Sequence, residues 1–305
     1  MAIGDQMALE AALGARAGLL EQLLRRLLDD RVLSGEIARP LGLMAAMRHG
    51  VLNGGKRLRP FLVLESAALF SADGDAALRV AAALECVHCY SLIHDDLPAM
   101  DDDDLRRGQP TVHKAFGEAN AILAGDALLT LAFDIIADDA TLLAPDRKVA
   151  LVLALARAAG AGGMAGGQAL DLEAENTAPN EAGIIILQAM KTGALIRFAC
   201  EAGAVLAGAP AADRERLAEF GSAIGLAFQL ADDLLDRTAD AGQMGKATGK
   251  DAAAGKATLV ELHGVDWAKS QLQGLVGQAQ TLLEPYGESA SLLKAAAVFI
   301  ATRRN

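Results

Sequence analysis

Apolar residues recur at spacings of three and four along almost the whole chain, and this pattern constrains the fold more than any other feature. One example runs through Leu217, Phe220, Ile224 and Phe228, and such spacing gives a helix one continuous apolar face. Alternating strand patterns are rare, and aromatic residues make up only 4% of the 305 residues. Gly and Pro residues divide the pattern into about ten helices. We therefore expect an all-α protein and, because no linker interrupts the chain, a single domain over residues 1–305.

The composition argues against several classes of protein. A formal net charge of −11 disfavours nucleic-acid binding, because a phosphate backbone binds basic surfaces. No uncharged apolar run approaches the roughly 18–20 residues that span a bilayer, and the N-terminus MAIGDQMALE lacks the basic start of a signal peptide. Three cysteines are too few for a disulfide scaffold. We therefore expect a cytoplasmic protein with no membrane span and no nucleic-acid partner.

The stretch LIHDDLPAMDDDDLRRG concentrates charge, with six aspartates and then two arginines within thirteen residues. Pro98 lacks the amide donor that a helix needs, so the helix that starts at about Asp75 should end just past Asp96. In an unbroken helix Asp95 and Asp101 would point in different directions, whereas a break between them can bring both to one cation. The alternative is an exposed acidic loop, the usual fate of a run of charges.

A second acidic group, ADDLLDR, follows one of the apolar helical patterns. Asp232 and Asp236 are four residues apart and therefore share one face of a helix. Carboxylates without nearby Cys or His suit a hard cation such as Mg²⁺, which typically takes one or two carboxylates plus substrate phosphates. Two such clusters that face each other can hold several Mg²⁺ ions around one diphosphate group. The pair of clusters is therefore stronger evidence than either one alone.

Cationic residues flank both clusters. The segment GGKRLRP offers Lys56, Arg57 and Arg59 after a flexible turn, and Arg106 and Arg107 directly follow the first aspartates. Guanidinium groups match phosphate oxygens, and lysines add point charges. A single basic residue is usually a solvated surface charge, but several beside two carboxylate clusters indicate a phosphate site.

Three further segments bear on such a site. Lys191 lies inside an otherwise apolar helix, where a lysine usually has an anionic partner. The small residues of GGMAGGQALD favour close helix packing, with Gln168 and Asp171 on a polar face. The segment TADAGQMGKATGKDAAAGKA contains Lys246 and Lys256 and is typical either of a solvated loop or of a lid over a phosphate site.

A zinc site is the less favoured interpretation of one short pattern. Cys86 and Cys89, with His88 and His94 nearby, superficially suggest zinc ligands. The pattern lacks a second cysteine pair and falls on a helix, so we do not expect zinc there.

Together these pieces resemble the trans-isoprenyl diphosphate synthases, and among them the bacterial farnesyl diphosphate synthases. The matching segments, in the order of that family, are GGKRLRP, DDLPAMDDDDLRRG, GGQALD, KTGAL, FQLADDLLD and GK…GKAT. The resemblance implies an all-helical fold of the isoprenoid synthase type around a deep central cavity, usually as a homodimer. It also implies that isopentenyl diphosphate extends dimethylallyl or geranyl diphosphate to (2E,6E)-farnesyl diphosphate, with release of diphosphate.

The resemblance further implies roles for individual residues. The carboxylates around about three Mg²⁺ ions would be Asp95, Asp96, Asp101, Asp232 and Asp236. The allylic diphosphate would contact Arg106, Lys191, Thr192, Gln229 and Lys256, and Lys246 would be a further substrate-binding residue. The isopentenyl diphosphate would contact, without metal, Lys56, Arg57, His88 and Arg107. The residues that act directly in the reaction would be Asp95, Asp101, Lys191, Thr192, Gln229, Asp232 and Lys256.

Product length in this family depends on the residues four and five positions before the first aspartate, which here are Ser91 and Tyr90. Tyr90 lies about one and a half helical turns from Asp95, and it should stop the growing chain near fifteen carbons. Because Ser91 is small, a geranylgeranyl diphosphate synthase with a twenty-carbon product is the nearest alternative. A terpene cyclase would not need a second, cationic diphosphate site, and a catalytically silent partner subunit would not need intact aspartates in both motifs.

Overall fold

The computed structural model describes residues 3–238 and 258–302, which form α-helices joined by short connections. In chain order the helices are Ile3–Leu27 (α1), Leu41–Val51 (α2), Leu58–Ala68 (α3), Gly74–Asp95 (α4), Val112–Phe116 (α5), Glu118–Ala137 (α6), Pro145–Ala159 (α7), Met164–Ala174 (α8), Glu181–Gln188 (α9), Ala194–Ala207 (α10), Ala211–Thr238 (α11), Leu259–His263 (α12), Val265–Leu282 (α13) and Ser291–Thr302 (α14). A π-helical turn, Ala189–Gly193, joins α9 to α10, and a 3₁₀ segment, Glu284–Ala290, precedes α14. The all-α class predicted from the sequence is confirmed. The predicted site residues Lys246 and Lys256 lie outside the described residues.

Helix α4 lies at the centre of the fold and carries the first aspartates at its C-terminal end. The carboxylate of Asp73 caps its first turn by accepting a hydrogen bond from the amide of Ala76 at 2.8 Å. The helix packs against α3, α6 and α10, and its consecutive buried alanines, Ala81 to Ala83, allow these neighbours to approach closely. It ends at Asp95, as the position of Pro98 predicts.

A short β-hairpin follows the aspartate loop. Strand Leu105–Arg106 (β1) pairs antiparallel with Gln109–Pro110 (β2). Arg107 and Gly108 form the two-residue turn, and both have positive φ angles, 54° and 75°, as a type I′ turn requires. The sequence did not predict this hairpin, because two-residue strands are too short to leave an alternating pattern.

Two glycines allow the π-helical turn to lie close to its neighbours. A Cβ atom at Gly167 of α8 would lie 2.1 Å from the backbone nitrogen of Lys191. A Cβ atom at Gly225 of α11 would lie 3.0 Å from the Cα atom of Gly193. The predicted close packing around GGQALD is therefore confirmed, and the turn lies between α8 and α11.

Four helical stretches are long and apolar enough to cross a membrane by length and composition alone: Gly74–Asp95, Glu118–Ala137, Pro145–Ala174 and Glu181–Ala207. Each of these windows can contain up to two charged residues, so they do not contradict the observation that no uncharged apolar run is long enough to span a bilayer. In the first of these stretches 72% of the apolar window is buried inside the protein, as expected of a core helix. The absence of a membrane span stays a prediction.

Candidate active site

The loop after α4 returns the chain to the aspartate with which the helix ends. The amide of Asp101 donates a hydrogen bond to the backbone carbonyl oxygen of Asp95 at 2.9 Å, and the amide of Asp102 donates to that of Leu97 at 3.2 Å. Asp102 adopts a left-handed backbone conformation with φ 47°, which tightens this turn. The helix break predicted from Pro98 is confirmed, and it brings Asp101 next to Asp95.

Asp96 has a different partner from its neighbour Asp95. The Arg106 guanidinium donates from Nε to both carboxylate oxygens of Asp96, at 2.8 and 2.9 Å, and from Nη2 to Oδ1 at 2.5 Å. The Asp96 side chain is only 3% exposed, and such a buried carboxylate needs a cation of this kind. The hairpin therefore turns Arg106 back onto the end of α4.

Helix α11 brings the second aspartate motif to the same region. Asp101 and Asp233 line one cavity of about 180 Å³, together with Lys191. Asp232 lines an adjoining cavity, whereas Asp236, one turn further along the helix, is exposed. The two acidic motifs therefore line neighbouring cavities, which share Lys191 and Gln229 in their walls.

The π-helical turn supplies the polar residues between these motifs. Lys191 Nζ binds Asp171 Oδ2 of α8 at 2.7 Å, which identifies the anionic partner expected for this lysine. Thr192 Oγ1 donates to Gln229 Oε1 of α11 at 3.1 Å, and Gln229 Nε2 donates to Asp233 Oδ1 at 3.0 Å. The turn and α11 therefore share one hydrogen-bond network.

The carboxylate at the end of α4 suits a divalent cation. Burial raises the pKa of the Asp95 carboxyl from 3.8 to about 6, Lys191 opposes the shift, and the nearby Asp101 adds to it. A buried carboxylate beside a second carboxylate gains from a hard cation with oxygen ligands. The oxygen-only donor set of Asp95, Asp101 and Asp232 therefore fits Mg²⁺.

A cavity of about 710 Å³ has one wall of basic side chains, among them Lys56, Arg59, His88 and Arg107. Burial, followed by the charges of Arg59 and Arg107, holds the pKa of the His88 imidazole well below its usual range, so the ring is neutral at pH 7. Arg107 Nη1 donates to the side-chain oxygen of Asn53 at 3.1 Å. A wall this positive favours a polyanionic ligand.

Arg57, which the resemblance assigned to the isopentenyl diphosphate, lines the 710 Å³ cavity, but its guanidinium is bound to groups of the protein itself. Its Nη1 atom lies 2.5 Å from Glu85 Oε1, and its Nη2 atom donates to the backbone carbonyl oxygen of Val51 at 2.6 Å. The two charged side chains are 4% and 2% exposed. Arg59, which was not assigned a site role, lines both the 710 Å³ cavity and the cavity beside α4.

The cavity beside the last turns of α4 has a volume of about 340 Å³. Tyr90 and Ser91 both line it, together with Asp95. The Tyr90 ring makes an edge-to-face contact with the His94 ring, with centroids 5.7 Å apart. Thr192 lies on the wall of both this cavity and the 710 Å³ cavity, so the space beside α4 adjoins the basic wall.

Known proteins have similar sequences and a similar fold. The family model described as Polyprenyl synthetase matches residues 41–291. The chain belongs to the polyprenyl synthetase family. It is 46% identical to the farnesyl diphosphate synthase of Escherichia coli (strain K12), over 86% of this chain and 89% of that protein. It is 40% identical to geranylgeranyl pyrophosphate synthase 9, chloroplastic, of Arabidopsis thaliana, over 88% of this chain and 76% of that protein. The crystal structure of an FPP/GFPP synthase from Zymomonas mobilis matches with a TM-score of 0.86 and 43% identity, covering 97% of this chain and 99% of that chain.

Membership of the polyprenyl synthetase family confirms the resemblance inferred from the sequence motifs. The reaction class of this synthetase is therefore trans-prenyl transfer. The names of its relatives include farnesyl, geranylgeranyl and mixed synthases, so similarity alone does not fix the length of the product.

One other group in this synthetase bears on metal binding. Asp102, Asp104 and His113 place one ligand atom each within 4.8 Å of one another, a group that the sequence analysis did not select. Lys114 binds Asp104 at 2.8 Å and already supplies that carboxylate with a cation.

The cysteine pattern on α4 does not suit zinc. Burial raises the pKa of the Cys86 thiol well above its usual range and that of the Cys89 thiol to about 12. Both thiols are therefore protonated at neutral pH, whereas zinc binds the thiolate. The His94 Nε2 atom lies 3.0 Å from the backbone carbonyl oxygen of Ile122 instead.

Three polar residues without a predicted role bind residues of the candidate site or each other. Glu85 binds Arg57, Asp233 accepts from Gln229, and Gln188 donates to Asp233. The available signal for Glu85 was a charge inside an apolar helix. The signal for Gln188 was a polar residue three positions before Lys191, which places both on one helical face.

Proposed function

We propose that the protein is a Mg²⁺-dependent farnesyl diphosphate synthase that joins isopentenyl diphosphate to dimethylallyl or geranyl diphosphate. One observation carries the proposal: both aspartate motifs line neighbouring cavities that share wall residues, and among these cavities one has several basic residues and another has apolar ones. Such a site offers separate places for a metal-bound diphosphate, a metal-free diphosphate and a hydrocarbon tail. Similarity to the farnesyl diphosphate synthases of Escherichia coli and Geobacillus stearothermophilus supports it.

The allylic diphosphate is placed between the two aspartate motifs. Asp95, Asp101 and Asp232 are the proposed Mg²⁺ ligands, with Asp236 one turn further along α11. Bound Mg²⁺ supplies charge neutralisation to the departing diphosphate. Lys191 lies between the motifs and adds a positive charge at the same place.

Asp96 is proposed to act through Arg106 rather than on a metal ion. The contacts of the Arg106 Nε and Nη2 atoms with the Asp96 carboxylate fix the guanidinium on the wall of the 710 Å³ cavity, which Asp232 also lines. A fixed guanidinium fork is a suitable contact for phosphate oxygens.

The isopentenyl diphosphate is placed on the basic wall of the 710 Å³ cavity. Lys56, His88 and Arg107 keep the roles that the resemblance gave them. Arg57 lines this cavity too, but its guanidinium is already bound to Glu85 and Val51, so its role is assigned to Arg59, which lines the same cavity. The neutral His88 ring has one N–H group, which can donate to a diphosphate oxygen.

The proposed reaction needs no protein nucleophile. The carbon–oxygen bond of the allylic diphosphate breaks, its electron pair leaves with the diphosphate, and an allylic cation forms. The double bond of isopentenyl diphosphate supplies the electron pair of the new carbon–carbon bond, and the released diphosphate accepts the proton lost from the adjacent carbon. The oxygens of Thr192 and Gln229 stabilise the cation, while apolar walls exclude water that would quench it.

Product length is assigned to the cavity beside α4. The Tyr90 side chain lies on its wall about one and a half turns from Asp95, and this position favours a fifteen-carbon limit. The second candidate is a geranylgeranyl diphosphate synthase, because Ser91 on the same wall is small and two Arabidopsis thaliana enzymes named geranylgeranyl pyrophosphate synthase are 40% and 42% identical.

We also propose that the enzyme is a cytoplasmic homodimer. Helix α6 exposes apolar side chains, including Ile122 (45% exposed) and Leu123 (53% exposed). A second copy of the chain would cover such a face, and sedimentation velocity measures whether it does.

The deciding experiment incubates the protein with isopentenyl and dimethylallyl diphosphates and MgCl₂, removes the phosphates and separates the alcohols by chromatography. We expect farnesol, with no product in EDTA. The variants Asp95→Asn and Asp232→Asn should lose at least about a hundredfold in kcat, whereas Asp139→Asn, at an exposed position outside the cavities, should match the wild type. A twenty-carbon alcohol would support the second candidate, a cyclised hydrocarbon a terpene cyclase, and no turnover a silent subunit.

A further inference from the structure

Gln188 lies at the end of α9, where the helix passes into the π-helical turn, and it is 5% exposed. Its Nε2 atom donates to Asp233 Oδ2 at 2.8 Å. On the other side of the same carboxylate, Gln229 Nε2 donates to Oδ1 at 3.0 Å. Both oxygens of Asp233 are therefore held by amide groups, one from the end of α9 and one from α11 itself.

These contacts determine which way the Gln229 amide points. An ionised carboxylate only accepts hydrogen bonds, so Gln229 must turn its NH₂ group toward Asp233. Its carbonyl oxygen then lies on the opposite side, where it accepts from Thr192 Oγ1 at 3.1 Å. Gln229 and Thr192 both line the 710 Å³ cavity. The orientation of one buried carboxylate therefore decides whether Gln229 offers oxygen or nitrogen at this wall.

The contact of the Gln188 amide with Asp233 leaves the other polar atom of that amide unsatisfied. Its Oε1 atom is buried and has no hydrogen-bond partner among the described residues. A buried acceptor without a donor is unfavourable, and a side chain that served packing alone would be apolar here. The structure keeps the Nε2 contact with Asp233 and leaves Oε1 unsatisfied. This arrangement indicates a role for Gln188 beyond stability.

We infer that Gln188 is a positioning residue that acts through Asp233 to direct the carbonyl oxygen of Gln229 toward the reacting carbons of the substrate. This inference rests on the proposed function, in which that oxygen stabilises the allylic cation. Gln188 lines the 180 Å³ cavity beside Lys191, but in this assignment its amide binds Asp233 and not a substrate. Its effect is on the cation and not on the binding of either diphosphate.

The donor and acceptor roles in this hydrogen-bond network can be exchanged without changing its shape, because Asp and Asn, and Glu and Gln, are nearly isosteric. In Asp233→Asn the new NH₂ group faces Gln229, since Gln188 still donates to the remaining oxygen. Gln229 must then turn over and present nitrogen to the cavity. In the double variant Gln188→Glu with Asp233→Asn, the introduced glutamate carboxylate accepts from the new NH₂ group. The asparagine oxygen can then accept from Gln229 again, and the original direction of the Gln229 carbonyl returns.

The experiment compares wild type, D233N and Q188E/D233N in steady-state kinetics and thermal unfolding. We expect D233N to lose roughly 10- to 100-fold in kcat, with KM for both substrates within about threefold and an unchanged Tm. The double variant should recover to within about fivefold of wild-type kcat. Equal kcat in all three proteins would overturn the inference, as would a double variant no better than D233N.

A binding measurement tests the same inference without turnover. A prenyl ammonium compound, which carries a positive charge where the cation forms, is titrated into each protein with Mg²⁺ and inorganic diphosphate. We expect D233N to bind it at least about tenfold more weakly and the double variant to recover. Inorganic diphosphate with Mg²⁺ alone should bind all three equally. Equal ammonium binding by D233N and wild type would refute the role of Gln188 even if the wild type makes prenyl diphosphates. If the wild type makes none, the proposed function fails while this titration still decides how the network works.

Discussion

Replacing Glu85 by leucine should destabilise the folded protein by roughly 3–5 kcal/mol, because the Arg57 guanidinium would remain as a buried charge without its carboxylate. The magnitude follows from the site: the two side chains are 4% and 2% exposed and lie 2.5 Å apart, so solvent screens their interaction little. Arg57→Met should cost a similar amount, since it leaves the Glu85 carboxylate buried. Urea unfolding followed by circular dichroism measures both values.

The double variant Arg57→Met with Glu85→Leu is the informative one. It removes both charges and keeps a non-glycine residue at the φ angle of 51° at position 57. Its main remaining loss is the hydrogen bond to the Val51 carbonyl oxygen, worth about 1 kcal/mol. We therefore expect its free energy of unfolding to lie within about 2 kcal/mol of wild type. This loss is far smaller than the sum of the losses in the two single variants. A double variant as unstable as that sum would refute the buried-pair explanation.

The same variant separates the two roles considered for Arg57. If its charge serves Glu85 and not the substrate, KM for isopentenyl diphosphate in the double variant should stay within about tenfold of wild type. Lys56→Met, which removes an exposed cation from the same cavity, should raise that KM more. A larger rise in this KM in the double variant than in Lys56→Met would indicate that Arg57 binds the substrate.

Three further outcomes are expected. Tyr90→Ala should lengthen the product beyond fifteen carbons while Tyr90→Phe does not, and an unchanged alcohol on chromatography would reject Tyr90 as the floor. Asp95→Asn should stabilise the metal-free protein by about 3 kcal/mol at pH 8 and about half as much at pH 5. The reason is that a folded-state pKa of about 6 against 3.8 makes the ionised carboxyl a penalty, which grows between these two pH values and levels off above the higher one. A stabilisation that does not change with pH in urea unfolding would contradict this. Gly167→Ala should destabilise by about 1–3 kcal/mol or more, since its Cβ would lie 2.1 Å from the Lys191 backbone nitrogen. Gly162→Ala, with nothing within 4 Å of its Cβ, should be nearly neutral, and equal melting temperatures for both would contradict the packing argument.

Features that depend on a few neighbouring residues were predictable from the sequence. Pro98 fixed where α4 ends, and the break it causes put Asp101 beside Asp95. The four-residue spacing of Asp232 and Asp236 placed them on one face of a helix, and α11 runs through both. These conclusions needed only the geometry of one helix or one turn.

Features that depend on distant partners were not predictable in this way. GGKRLRP presents Arg57 and Arg59 almost side by side, and both suit a phosphate equally well by chemistry. The left-handed conformation at Arg57 and the carboxylate of Glu85, on another helix, decide that Arg57 turns inward. Gln188 likewise has no motif of its own, and only the fold brings Asp233 to it. Lys191 was predictable in part. The sequence predicted that it has an anionic partner, but only the fold shows that this partner is Asp171.

The crowding of aspartates after α4 is relieved partly by the protein itself, which explains why arginines follow at once. Asp96 is held by Arg106 and Asp104 by Lys114, so these carboxylates already have a cation in the folded chain. The type I′ turn at the hairpin is what returns Arg106 to the helix end. Asp95, in contrast, faces the cavities and has a raised pKa. The number of aspartates in such a run therefore exceeds the number available to a metal ion, because Asp96 serves to fix Arg106, the arginine proposed to bind the substrate.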